Sequence, residues 1–280
     1  MRKLIFSLCA LLTLVGNAES AKRPNVVFLV SEDNSIHYLK LYGYGASMPN
    51  IEALAKAGLT FNHAFSNSPV CSVARSTLAT AMLAPRGGFQ YHRKSAMAKL
   101  PPGYKPWSAM LRDNGYFATN QRKTDYNFVH DMKKLWDKGP ANAAWRARPS
   151  KDTPFFHMQS FAQSHESSLH FPQRVMDNEK TTHDPSKVKL APYFPDTPTF
   201  RYTHARYLDR MQIIDQQVGG VVKKLEEDGL LEDTFIFYFG DHGGVLPRGK
   251  GYAYESGLHV PLVVRIPKNF SHLIDHKRGT

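Results

Sequence analysis

Two stretches of this chain leave little freedom in what it can fold into. Asn25-Val26-Val27-Phe28-Leu29-Val30 and Thr234-Phe235-Ile236-Phe237-Tyr238-Phe239 are nearly unbroken apolar runs, rich in β-branched and aromatic residues. A strand with one wet face alternates polar and apolar residues. A run without that alternation predicts a strand covered on both faces, as in the middle of a parallel sheet. Both runs end abruptly in acids, Ser31-Glu32-Asp33-Asn34 after the first and Gly240-Asp241-His242-Gly243-Gly244 after the second. Polar residues at the carboxyl end of a buried strand lie where α/β sheets bind their ligands.

The chain between and around these runs supplies the other layers. Pro49 to Gly58 reads as a helix with Pro near its start and Gly at its stop, returning through the extended piece Leu59-Thr60-Phe61. Trp107 to Asn114, stopped by Gly115, is a short helix feeding Tyr116-Phe117-Ala118-Thr119, and Pro154 to Phe161 is a further strand. From Arg201 to Asp228, Tyr207, Met211, Ile214, Val218, Val221, Val222 and Leu225 recur at helical spacing, which predicts an amphipathic helix with a core-facing stripe, closed by Gly229. Val260 to Arg265 is the last strand. This alternation predicts the α/β class with a largely parallel sheet. Residues 166–198, rich in Pro, His, Asp and Lys without periodicity, form a long surface excursion.

Met1-Arg2-Lys3, the apolar run Leu4 to Val15 and the small residues before Ala21 read as a signal peptide over residues 1–21. The apolar run is too short for a transmembrane anchor. The expected location is therefore periplasmic or secreted, with a mature chain of residues 22–280. Removing the signal takes Cys9 away and leaves Cys71 as the only cysteine, so no internal disulfide accounts for its thiol. The net charge of +12 suits a polyanionic partner. An exported chain with no nucleic-acid-binding module points to a glycan rather than to nucleic acid. The alternative is that Lys and Arg merely solvate the surface.

Cys71 follows the turn Ser66 to Pro69 and heads a predicted helix, with Arg75 one turn further in. A helix start offers unpaired N–H groups and positive potential, which favours a reactive thiol or an anion. Residue types alone leave a second reading open, a buried structural cysteine. Glu32-Asp33 and Asp241-His242 together suit a hard cation, Ca²⁺ or Mg²⁺, although either pair alone also reads as a polar turn or cap. Arg75, Lys123, His165 and Lys250 are each readable as solvated charges. Gathered around a metal and one nucleophile, they suit attack on a sulfuryl or phosphoryl centre. His92, His130 and His157 have no comparable context and read as structural.

In this order, Arg23 to Phe28 with Glu32-Asp33, Pro49 to Ala55, Cys71 to Thr80, Lys123, His165, Gly240 to Gly243, and Lys250 with Tyr254 to Leu262 resemble the type I sulfatases of the alkaline phosphatase-like superfamily. The resemblance implies a three-layer α/β/α sandwich with a mostly parallel central sheet. It also implies that residues 22–280 are the N-terminal part of a sulfatase catalytic domain, a smaller C-terminal subdomain following beyond Thr280. A maturation enzyme would convert Cys71 to formylglycine. One hydroxyl of the hydrated aldehyde would attack sulfur in line, and the second would then expel sulfate. By the same resemblance, one calcium ion is held by Glu32, Asp33, the residue-71 side chain, Asp241 and His242. Arg75 and Lys123 would orient the diol, while His165 and Lys250 would contact sulfate and protonate the leaving oxygen. The implied substrate is a sulfated carbohydrate.

Four positions depart from the family pattern. Val73 stands where Pro or Ala is usual, Ala81 replaces a Gly, Glu32 replaces an Asp, and Asp125 replaces a His and is assigned no catalytic role. Two alternative functions are a phosphatase or phosphonate hydrolase of the same superfamily, whose members usually present Ser or Thr, and a non-catalytic binder of sulfated glycans.

Overall fold

The computed structural model describes residues 22–93, 97–139 and 143–274; the signal-peptide segment lies outside them. Among the described residues six strands form one sheet: β1 (Asn25–Ser31), β2 (Gly58–Phe61), β3 (Phe117–Gln121), β4 (Phe155–Phe161), β5 (Thr234–Gly240) and β6 (Leu262–Arg265). Their order is β2-β6-β5-β1-β4-β3. The two apolar runs are neighbours at the centre, β1 pairing in parallel with both β5 and β4, and β3 pairing in parallel with β4. β6 is antiparallel to both β5 and β2, so it alone runs against the others.

Side chains of β1 alternate between two helical layers. Val27 and Leu29 join a core with the helices Pro49–Lys56 and Pro198–Glu227. Val26, Phe28 and Val30 face the opposite layer, which holds Leu78 and Ala79 of the helix Cys71–Thr80 and Trp107 and Ala109 of the helix Trp107–Asp113. Phe28 packs its ring 5.3 Å from Trp107 and 5.2 Å from Phe156. The chain is the expected three-layer α/β/α sandwich.

The long helix begins at Pro198, before the expected Arg201. Thr197 is its cap, accepting the Phe200 N–H, and Pro198 occupies the first turn, where it needs no donor. Its stripe from Tyr207 to Leu225 is buried as the periodicity requires, except that Val222 is half-buried. Asp215 on that stripe accepts the N–H groups of Asn50 and Ile51 at 3.2 and 3.0 Å. One helix therefore caps the positive end of another, for which Met48 supplies no side-chain cap. The 166–198 excursion contains one short helix, Gln173–Asn178, and a 3₁₀ turn, Glu166–Leu169.

Candidate active site

Strand register assembles the site. Ser31 of β1 lies opposite Phe161 of β4 on one side and Gly240 of β5 on the other, so the three central strands end level. Chain leaving β1 delivers Glu32 and Asp33, and chain leaving β5 delivers Asp241 and His242. Chain leaving β4 delivers His165, and chain leaving β3 delivers Lys123. Backbone bonds stitch these ends together, Asp241 N–H to Ser31 O at 3.2 Å and Glu32 N–H to Phe161 O at 3.0 Å.

Cys71 is the first residue of its helix, and Val70 before it offers no side-chain cap. The positive end of the helix is thus left without a neutralising side chain. The helix is buried on nearly every side despite its small polar residues, because they bond back one turn. Ser76 Oγ donates to Ser72 O at 2.6 Å, and Thr80 Oγ1 donates to Ser76 O at 2.7 Å. Cys71 Sγ lies 3.2 Å from His242 Nε2 and 3.5 Å from Asp33 Oδ1. Burial disfavours its thiolate. Hydrogen bonds from His165 and His242 outweigh that cost and hold the thiol below its ordinary value.

Asp33, Cys71, Asp241 and His242, all buried, offer ligand atoms that lie within 4.8 Å of one another. His242 Nδ1 donates to Gly243 O at 3.0 Å, which leaves Nε2 for the cluster. Two dry carboxylates so close repel each other unless positive charge lies between them. His242 Nε2 stands 2.9 Å from Asp33 Oδ1 and 3.9 Å from Asp241 Oδ1. Burial opposes protonation, yet Asp241 and Asp33 raise the imidazole to about 10. A donor set of two carboxylates and one imidazole nitrogen fits a hard divalent cation. Glu32 stands apart from this group, with its Oε2 on Lys123 Nζ at 2.6 Å.

The predicted cations gather here. Arg75, which the sequence alone allowed as a surface charge, is instead 1% exposed. Its Nε donates to Asp241 Oδ2 at 2.9 Å and its Nη1 to Ser160 Oγ at 3.0 Å. Its buried Nη2 has no partner among the described residues. Lys250 Nζ reaches Asp33 Oδ2 at 2.9 Å and Glu166 Oε1 at 3.1 Å. Burial would lower this lysine, but Asp33 and the other negative groups beside it hold it well above its ordinary range. His165 is raised above its usual value by its hydrogen bond to Cys71, against the effect of burial. The loop carrying Lys250 depends on glycine, since a Cβ on Gly243 would lie 2.1 Å from Ser256 O.

Several participants were not visible in the sequence. Asp125 accepts Arg93 Nε at 3.0 Å and Nη2 at 2.8 Å, and lies 3.8 Å from Lys123 Nζ. His92 is in contact with the cysteine helix, its Nδ1 2.9 Å from Ser72 Oγ. Tyr207, read only as core, donates its hydroxyl to the Asp33 carbonyl. That bond supports a left-handed backbone at Asp33, with φ 52°. No local motif marks these residues. Arg93 and Asp125 meet across 32 positions of the chain, and Tyr207 and Asp33 across 174.

Comparison with known proteins bears on the family and the fold. An ulvan-active sulfatase of Formosa agariphila is 33% identical over 288 residues, covering 88% of this chain and 48% of that relative. Human N-sulphoglucosamine sulphohydrolase is 24% identical over 295 residues, covering 93% and 58%. The chain thus spans about half the length of the curated relatives it matches. Among solved structures, the yidJ protein of Bacteroides fragilis superimposes with a TM-score of 0.69 at 20% identity, covering 91% of this chain and 70% of that one. The phosphonate monoester hydrolase of Agrobacterium radiobacter gives 0.65 at 19%, covering 88% and 68%. Both likenesses show the fold. The sulfatase family model matches residues 24–280, nearly the whole chain, and this protein belongs to the sulfatase family.

Proposed function

We propose that this protein hydrolyses sulfate esters of a sulfated carbohydrate, with Cys71 as the precursor of the reacting group. One observation carries the reading. Buried Arg75 keeps an unpartnered N–H group beside a cysteine at a helix start, among Lys123, His165 and Lys250. An anionic oxygen would satisfy that donor, and the surrounding cations would offset charge developing on the oxyanion. The names of the matched relatives, which refer to ulvan and to N-sulphoglucosamine, support a carbohydrate sulfate as the substrate class.

Asp33, Asp241, His242 and the residue-71 side chain, with Glu32 adjoining, would hold a calcium ion. When bound it would supply Lewis-acid polarisation of a sulfate oxygen. Arg75 and Lys123 orient the group at position 71 and neutralise charge. Lys250, kept charged by Asp33, and His165, raised by its contact with Cys71, are the proton donors to the leaving oxygen. Asp125 does not share this task. Burial works against its charge, but Arg93 holds its carboxyl below the ordinary range, so it carries no proton at neutral pH. In our reading the chain is exported through residues 1–21, residues 22–280 carry the catalytic unit, and a maturation enzyme converts Cys71 to formylglycine. Among the described residues no helix is long and apolar enough to cross a membrane.

Mass spectrometry of the peptide holding Cys71 tests the maturation, and sulfate release by the Cys71→Ala variant tests the role. Undiminished release in that variant would sink the mechanism. The same cations serve phosphoryl and sulfuryl centres alike, which favours phosphate or phosphonate ester hydrolysis as a second reading. Faster turnover of an aryl phosphonate than of the matching aryl sulfate would select it.

A further inference from the structure

Past the carboxyl ends of the central strands lies a groove of about 1000 Å³, outside the cluster around Cys71. Its walls come from the segment after β1, the 166–198 excursion, the long helix and the loop after β5. That volume is at the upper end of small-ligand sites.

Three features of the wall point to a ligand. First, the Arg248 guanidinium lies over two rings, 4.9 Å from the centre of Tyr193 and 4.0 Å from that of Tyr254. Each of these tyrosines is 47% exposed. Arg248 is held in a left-handed conformation, φ 68°, and its carbonyl accepts Ser256 Oγ at 2.7 Å. Second, the lining carries three cations, Lys187, Lys189 and Arg248, against two carboxylates, Asp184 and Glu255. Asp184 is engaged by Lys187 at 3.6 Å and Glu255 by His259 at 2.6 Å, whereas Lys189 and Arg248 have no ion-pair partner among the described residues. Third, His204 lines the groove at only 6% exposure, and its Nδ1 has no hydrogen-bond partner among the described residues. Burial pushes this imidazole down to about 4, so it is neutral at physiological pH, with one ring nitrogen donating and the other accepting.

Tyr193 and Tyr254 each turn ring surface to the Arg248 guanidinium, and their exposed remainder offers apolar contact to a sugar ring. A guanidinium already stacked between two rings presents its edge donors to an anionic group. The unpartnered Nδ1 of the neutral His204 imidazole suits a hydroxyl. The groove also shares chain segments with the reacting centre. Arg248 is two residues from Lys250, and the excursion that carries Tyr193 begins at Glu166, which meets that same Lys250 at 3.1 Å. We propose that this groove binds further sugar residues of a sulfated oligosaccharide, with Arg248 and Lys189 holding a second sulfate and the exposed parts of Tyr193 and Tyr254 contacting a ring beside the guanidinium. The inference rests on the sulfatase reading and specifies its substrate as an oligomer carrying more than one sulfate.

The test uses the full chain, heparin- and ulvan-derived tetrasaccharides with their desulfated counterparts, and an aryl sulfate. In calorimetry, a sulfated tetrasaccharide should bind more tightly than its desulfated form. Arg248→Gln, Lys189→Gln and Tyr193→Ala should each weaken its binding about tenfold. The same variants should lower kcat/KM on the tetrasaccharide while leaving hydrolysis of the aryl sulfate unchanged. Equal losses on both substrates, equal binding of sulfated and desulfated sugar, or no binding of any tetrasaccharide by the parent chain would overturn the proposal. Arg248-dependent binding without hydrolysis of either sulfate ester would instead refute the catalytic reading and leave the groove standing.

Discussion

Arg75 Nε and Asp241 Oδ2 meet at 2.9 Å with both side chains out of water, and this pair ties the head of the cysteine helix to the end of β5. Removing one partner strands a buried charge, which costs on the order of 3–5 kcal/mol. Arg75→Met and Asp241→Leu should therefore each lower the urea midpoint strongly. The double variant should recover much of that loss, because neither charge is left alone. Simple additivity of the two single losses would show that the pair is not coupled. All three variants should lose sulfate release.

The contrast between legible and illegible residues has a physical basis. The runs at Val26–Val30 and Phe235–Phe239 read as strands covered on both faces, and the acids that end them follow as a site at the sheet edge; β5 departs from that reading in leaving Phe235, Phe237 and Phe239 half-buried. The apolar stripe of the long helix was legible for the same reason, since burial imposes a period on sequence. The antiparallel direction of β6 was not, because alternation of side chains is the same whichever way a strand runs. Arg75 resembled a surface charge because arginine is rarely buried without a partner, and its partner Asp241 lies 166 residues away. The Arg93–Asp125 and Tyr207–Asp33 contacts were invisible because only the folded chain brings them together.

Asp33 and Asp241, held together around His242, should respond to calcium. At a concentration one hundred times the dissociation constant, a cation that binds only the native state stabilises it by about 2.7 kcal/mol. Differential scanning calorimetry should show a higher Tm in calcium than in chelator, and Asp33→Asn should largely remove the difference. An identical Tm in both conditions would count against a cation at this cluster.

His157 gives the fold a calculable response to acid. It is buried on β4 with Nδ1 2.9 Å from Thr119 Oγ1, and burial pushes it down to about 4. In the unfolded chain it titrates near 6.5. Between these values the unfolded state binds a proton that the native state refuses, so stability is complete above about pH 6.5 and falls as the pH drops towards 4. The slope from this group is about 1.4 kcal/mol per pH unit. Unfolding free energies measured across that window should change less steeply in His157→Gln. A slope as steep as that of the parent would rule out His157 as its source.

Ala81 tests the departure from the family pattern at the end of the cysteine helix. It closes the helix with φ 52°, in the left-handed region where glycine alone is free of strain. The alanine Cβ costs roughly 1–2 kcal/mol in that conformation. Glycine would remove this strain but make the unfolded chain more flexible, at a cost of roughly 0.4–1 kcal/mol. Ala81 is exposed, so losing its methyl group leaves no cavity. The strain is the larger effect, and Ala81→Gly should stabilise the protein by about 0.5–1 kcal/mol. Denaturant unfolding should show this as a higher midpoint at unchanged slope. A lower midpoint would mean that the helix end relaxes around alanine without strain.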